Sequence, residues 1–249
     1  MDKPKHRNIV EFAVTGQYAL FSNILTRAGG EKTSYHVPTY EALKGILQSI
    51  FWKPTIIWII DDVRVMNQIR FARKGIRPIK YNSGENDLAY YTYLENVYYQ
   101  VRAHFEWNLN RPELEHDRNE NKYHNIAKRM IERGGRRDIF LGTRECQGYV
   151  KSCVFGEGIS YYDKFETIPY GLMEHGFTYA DEATCEEDKG KLTLRLWQPV
   201  MKNGIIHFIR PEECKIKRHI KDMGIKPFGD GNFIGLKEFA GGELDELDK

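Results

Sequence analysis

Along the first half of the chain, the spacing of apolar positions switches several times between strand and helix periods. Ile9 to Thr15 reads as a strand ending at Gly16. Asn23 to Val37 is polar, holds the Gly29-Gly30 pair and reads as a long loop, a type of segment that is often functional in compact domains. The helical period comes next. Pro38 precedes it, Thr39 is a good N-cap, and Leu43, Ile46, Leu47 and Ile50 follow the i, i+3, i+4, i+7 rule. Lys53-Pro54 ends the helix, because a residue before proline is pushed out of helical backbone. Tyr40, Lys44 and Phe51 line up on one flank of the apolar stripe, where an aromatic ring and a cation can meet a ligand without disturbing the core.

Thr55 to Ile60 and Val63 to Phe71 read as strands, with Asp61-Asp62 at the end of the first. Ala72 to Asp87 reads as a basic, glycine-containing loop and Leu94 to Trp107 as a strand rich in tyrosine and valine. After the polar stretch from Asn108 to Arg118, a second helix is predicted from about Asn119 to Arg133. Asp117 and Glu120 have capping-box spacing, Tyr123, Ile126, Ala127, Met130 and Ile131 form its apolar stripe, and Gly134-Gly135 is its stop. Asp138 to Leu141 is a short strand, and short strands and turns fill Tyr149 to His219, with a hairpin signal at Met201 to Gly204. The order of elements suits an α+β, ferredoxin-like layer over residues 1–148, a small antiparallel β-domain over 149–226, and a glycine-rich, then acidic, loosely ordered tail over 227–249.

Composition narrows the function. The apolar fraction is 41% and the charged fraction 29%, ordinary for a globular protein. No apolar run approaches transmembrane length, and the charged start from Met1 to Arg7 lacks the apolar core of a signal peptide, so a cytoplasmic location without a membrane partner is expected. Cys146, Cys153, Cys185 and Cys214 fall at no metal or redox spacing and read as free thiols. Net charge is only +2, but its distribution is uneven: Val63 to Gly84 has six basic residues and no acid, and Lys122 to Lys151 has eight basic residues against three acids. Such blocks fit a polyanion-binding surface or a merely solvated face. Many of the aromatic residues lie beside cations, which suits base stacking as well as ordinary core packing.

No phosphate-binding glycine loop, dinucleotide fingerprint, zinc spacing or serine-hydrolase elbow is present, and no cofactor or metal is expected. Metal-free acid–base chemistry on RNA remains. RNA supplies its own nucleophile, the 2′-hydroxyl, so a protein need only align it, help remove its proton and stabilise the developing phosphorane charge. Lys122-Tyr123-His124, at the start of the second helix, is the best local candidate, although Lys and His on a helix are commonly a solvated face.

Several segments resemble one family: Gly16 to Phe21, Ser34 to Thr39 with Ala42 to Ile46, Trp52-Lys53-Pro54, Gly134 to Cys146, Arg195-Leu196-Trp197 and Val200 to Gly204. Together they resemble the CRISPR-associated Cas5d family of subtype I-C, within the RAMP superfamily, from about Ile9 to beyond Pro211. The resemblance implies a ferredoxin-like (RRM-like) RAMP domain with a small C-terminal β-domain. It implies a metal-independent endoribonuclease that cuts precursor guide RNA at the base of the repeat hairpin and leaves a 2′,3′-cyclic phosphate. It also implies retention of the 5′ handle among the other subunits of a type I-C Cascade-type complex. Relatives outside this subtype are generally handle-binding subunits that do not cut, which supplies the alternative reading. Nonspecific DNA binding is compatible with the same basic surface.

The family's catalytic set is a tyrosine near the end of the first helix and a Lys-His pair at the second. Phe51 stands at the tyrosine position and has no hydroxyl. Lys122 matches the lysine, while Tyr123 occupies the histidine slot and His124 follows it. At neutral pH a histidine near ~6.5 suits general-base work and a tyrosine near ~10 does not. The expected catalytic residues are therefore Lys122 for phosphate stabilisation, His124 for proton transfer, and Tyr123. The expected RNA-binding residues are Lys44, Phe51, Lys53, Arg136, Arg137 and Arg144. An ideal helix sets Lys122 and His124 on nearly opposite sides, and Arg136-Arg137 has salt bridging to Asp138 or Glu145 as its alternative.

Overall fold

The computed structural model describes residues 7–226; the tail expected to be loosely ordered lies outside them. Strand β1 (Val10–Ala19) buries Val10, Phe12 and Val14, and also Ala13 between them. The polar loop after it holds a single-turn helix, α1 (Ile24–Arg27), capped by Asn23. Helix α2 (Tyr40–Ile50) starts where the sequence places it: Thr39 Oγ1 accepts from the Ala42 N–H at 3.1 Å, and Leu43, Ile46, Leu47 and Ile50 are buried.

Strand β2 (Ile56–Val65) runs straight through Asp61-Asp62, so these acids do not end a strand. The register slips by one residue between Ile60 and Asp62, and this bulge turns both carboxylates toward bases: Asp61 lies 2.8 Å from His104, and Asp62 meets His207 and Arg102. Strand β3 (Phe71–Ile76) occupies the first part of the expected basic loop. Strand β4 (Ala89–Trp107) is long enough for two partners on one edge, β3 at its start and β2 later, with β1 along the other. Asn96, at φ 51°, sits between the two parts; asparagine tolerates this left-handed backbone better than most residues.

Helix α3 (Glu120–Glu132) is capped by Asn119, whose side chain accepts from the Lys122 N–H at 3.0 Å, and not by Asp117 as the spacing suggested. Gly134 and Gly135, at φ 84° and 111°, end it as expected. The remaining strands are β5 (Ile139–Phe140), β6 (Gln147–Ser152), β7 (Thr167–Pro169), β8 (Met173–Thr178), β9 (Lys191–Trp197), β10 (Val200–Lys202), β11 (Ile205–His207) and β12 (Ile216–Asp222). β10 and β11 form the anticipated hairpin.

The result is a mixed fold dominated by antiparallel sheet. One sheet of nine strands has the order β5-β6-β1-β4-β2-β11-β10-β7, with β3 added on β4; a second has the order β12-β9-β8. The segment expected as an appended β-domain therefore divides. β7, β10 and β11 extend the main sheet through the β11–β2 pairing, and β8, β9 and β12 stand apart. No helix of the described residues is long and apolar enough to cross a membrane, and all four cysteines are free.

The small sheet packs on α2. Tyr40 stacks on His175 with ring centroids 4.4 Å apart, and the Arg195 guanidinium lies 5.8 Å from the Tyr40 ring. The flank bearing Tyr40, Lys44 and Phe51 is therefore closed, with exposures of 1%, 3% and 2%. This corrects the expectation of Lys44 and Phe51 at an RNA surface: both are core residues. The Lys44 ammonium is held by Glu182, with Glu41 at 3.9 Å, and a charge this deeply buried needs such partners. The Phe51 ring lies 5.7 Å from that of Tyr123.

Candidate nucleic-acid interface

Successive residues of a helix point about 100° apart, and the triplet at the start of α3 diverges accordingly. Tyr123 points inward and is fully buried among Phe51, Phe105 and Trp107. Its hydroxyl donates to Asp117 and accepts from Thr55, whose Oγ1 is 3.2 Å away. Burial first, and the bond to Asp117 second, raise the phenol above its ordinary range, which makes it a still poorer base. Lys122 is half exposed and places Nζ 2.7 Å from Asp117 Oδ1. Asp117 is held below the usual carboxylate range by the bond from Lys122, then by that from Tyr123, with the positive charge of Lys53 adding to both.

His124 leaves the helix on another side. Its Nε2 lies 3.0 Å from the Ile9 carbonyl and must donate there, so the neutral ring keeps its lone pair on Nδ1. The ring lines a cavity of about 240 Å³ with Glu11, Lys128, Ser152 and Cys153. Lys122 and His124 are thus not brought together in this arrangement.

The arginine pair is set by the end of α2. The backbone N–H groups of Arg136 and Arg137 donate to Ile50 O at 3.2 Å and Ser49 O at 3.0 Å, satisfying carbonyls that the helix leaves free. Both side chains are exposed, and neither forms an ion pair with Asp138 or Glu145. Glu145 instead accepts from the Tyr93 hydroxyl at 3.3 Å. Lys53 is exposed three residues beyond α2, and Lys122 adjoins the Tyr123 ring that covers Phe51. Four exposed cations, Lys53, Lys122, Arg136 and Arg137, therefore gather around the C-terminal end of α2. Arg144 is exposed on the separate tight loop that begins at Gly142.

The first basic block is less uniform than its sequence suggests. Arg64 is buried and paired with Asp163 at 2.8 Å. Arg73 and Lys74 lie over the rings of Tyr90 and Tyr18, at 4.3 and 3.3 Å from the centroids. Sequence reasoning missed Asp117 and Thr55, which fix the triplet. Asp117 has a visible signal, its spacing to Glu120, but that spacing points to a helix cap.

The arrangement suits an anionic polymer: exposed cations on segments that meet near the end of α2, and a carboxylate that holds the lysine among them. The family profile Cas_Cas5d, described as CRISPR-associated protein (Cas_Cas5), matches residues 9–209. The chain is 37% identical to a solved structure described as a CRISPR-associated protein, with a TM-score of 0.71 over 84% of this chain and 96% of that one. It is 40% identical to SMU1763c from Streptococcus mutans, described as functionally uncharacterized, with a TM-score of 0.69 and the same 84% and 96% coverage. The CRISPR pre-crRNA endoribonuclease Cas5d of Mannheimia succiniciproducens is 41% identical over 64 residues, which span 26% of this chain and only 28% of that protein. The chain belongs to the CRISPR-associated Cas5d family.

Proposed function

We propose that this protein binds the repeat of a CRISPR precursor guide RNA and cuts it at the base of the repeat hairpin, then keeps the 5′ handle within a type I-C Cascade-type complex. The observation that carries this reading is the cluster of exposed cations around the end of α2, with Lys122 held at the start of α3 by Asp117. The core of the fold is read as ferredoxin-like. In its support, β6-β1-β4-β2 lie side by side in that order, α2 connects β1 to β2, and α3 connects β4 to β6.

In the proposed reaction the 2′-oxygen attacks phosphorus, the bond to the 5′-oxygen breaks, that oxygen takes a proton from water, and the products are a 2′,3′-cyclic phosphate and a 5′-hydroxyl. Lys122 stabilises the charge on the non-bridging oxygens. His124 takes the 2′-hydroxyl proton on Nδ1, which requires the RNA to pass around the first turn of α3. No metal is assigned to this chemistry.

A second reading, a handle-binding subunit that does not cut, is favoured by three observations. Lys122 and His124 face different sides, Phe51 lacks a hydroxyl, and the Tyr123 hydroxyl is engaged. A gel assay with the repeat hairpin RNA of the source organism in excess EDTA separates the two. It would include an RNA with a single 2′-deoxy substitution at the cut and the variants Lys122→Ala and His124→Ala. Cleavage in EDTA that stops with the 2′-deoxy RNA and slows in both variants supports the first reading. Tight hairpin binding without cleavage supports the second. Competition by unrelated DNA measures how far the same cations bind DNA.

A further inference from the structure

Beside the arginine pair lies an open groove of about 650 Å³, lined by Arg133, Gly135, Arg136, Arg137, Gln147 and Tyr149 among others. One wall is the Gly134–Asp138 turn. Gly135 is at φ 111°, and a Cβ there would come within 3.1 Å of the Arg137 carbonyl oxygen, so only glycine presents the two arginines this way. The other wall is β6. Gly148 and Val150 turn inward, and a Cβ on Gly148 would meet Leu141 at 2.9 Å. The alternation then puts Tyr149 outward, with 64% of its surface exposed. β5 pairs with β6 only at Gly148 and Gln147, so the outer edge of β6 is open at Tyr149.

Arg133, Arg136, Arg137 and Tyr149 make no side-chain hydrogen bond, ion pair or ring contact with the described residues. The exposed, unstacked phenol ring of Tyr149, beside three guanidinium groups without partners among the described residues, has no packing role in the fold. Planar cations that take phosphate in two-point contacts, next to an aromatic face that takes a base, form the pair of features by which proteins hold unpaired nucleotides.

We propose that this groove is a subsite for an unpaired nucleotide of the RNA, with its base stacked on Tyr149 and its phosphates held by Arg136 and Arg137. The proposal rests on the RNA-binding reading above and extends it from the hairpin to a single-stranded flank.

The test is equilibrium binding, by fluorescence anisotropy across a range of salt concentrations. It uses the source organism's repeat hairpin with its single-stranded flanks, the same hairpin trimmed to a blunt duplex, and a scrambled hairpin of equal length. Tyr149→Ala should weaken binding of the flanked RNA about tenfold or more, because stacking on an aromatic ring is worth that much per base. Tyr149→Phe should bind like the parent. The slope of log affinity against log salt should not change in either, since no charge is lost. Arg136→Ala with Arg137→Ala should instead flatten that slope by about 0.7 for each lost phosphate contact. The blunt hairpin should be indifferent to Tyr149→Ala. Equal affinity of Tyr149→Ala and the parent for flanked RNA overturns the subsite, as does an equal loss on the blunt duplex. If the parent binds the scrambled hairpin as tightly as the repeat while Tyr149→Ala still loses affinity for flanked RNA, the repeat-binding reading fails and the subsite stands.

Discussion

Replacing Tyr123 with phenylalanine decides whether this residue is chemical or structural. The change removes one oxygen and keeps the ring, which packs 5.7 Å from both Phe51 and Trp107. Two hydrogen bonds are lost. Asp117 keeps its bond from Lys122 and, at 27% side-chain exposure, recovers water. Thr55 is 2% exposed, and its hydroxyl loses its acceptor without solvent to replace it. A buried donor left unsatisfied costs roughly 1–3 kcal/mol. In a protein of this size each kcal/mol lowers Tm by about 2–4 °C, so a fall of about 4–8 °C is expected for a mid-range cost. The assay pairs a thermal melt with single-turnover cleavage of the repeat hairpin well below both melting temperatures. A structural tyrosine leaves the cleavage rate within about twofold, whereas loss of a general acid or base costs ~10²–10⁴-fold. Unchanged Tm would refute the hydrogen bonds assigned to the phenol. A hundredfold slower reaction at unchanged Tm would place it in the chemistry.

Other consequences follow from the same contacts. Glu182→Gln leaves the Lys44 ammonium, 3% exposed, with Glu41 at 3.9 Å as its remaining carboxylate, and should cost about 1–3 kcal/mol in a urea melt. Lys44→Met strands the Glu182 carboxylate and should also lower the urea midpoint, but should not change RNA affinity, in contrast to Lys53→Ala, which should weaken it. Gly142→Ala should destabilise by at least about 3 kcal/mol, because the residue is at φ 96° and its Cβ would fall 2.0 Å from the Leu20 carbonyl oxygen. Hydrogen bonds from His104, then Arg210, hold the Glu106 carboxyl at about 2. The stability it contributes is complete above its unfolded value of ~4.3 and is lost as pH falls toward about 2. Asp117, also lowered, adds in the same direction, so urea midpoints should fall through this acid window and Glu106→Gln should flatten the decline.

Local signals were legible in the sequence where the cause was local. Thr39, the stripe from Leu43 to Ile50 and the Gly134-Gly135 stop are short-range physics, and α2 and α3 follow them. The fate of Lys44 is set by Glu182, 138 positions away, and no periodicity reports such a partner. The sequence of β2 reads as two strands because adjacent acids mimic a strand end, while the bulge that accommodates them depends on His104 and Arg102 in β4. The small sheet defeats pattern reading in a different way. β9 turns Thr193 and Arg195 inward and leaves Leu192, Leu194 and Leu196 half-buried on its other face, the reverse of the usual alternation. Of the candidate site, Arg136, Arg137 and Lys53 were visible as exposed charge. The divergence of Lys122 and His124 was visible in helical geometry, but what each one touches was not.

With a sheet on either side, α2 is an axle rather than a cover. Any shortened version of this protein that ends before β8 would uncover Tyr40 and strip Lys44 of Glu182, so the first-half elements cannot be lifted out as a free-standing module. The same embedding gives the end of α2 a firm seat, and Arg136 and Arg137 are fastened to that end through their backbone N–H groups. Replacing their side chains should therefore leave the scaffold beneath them as it is.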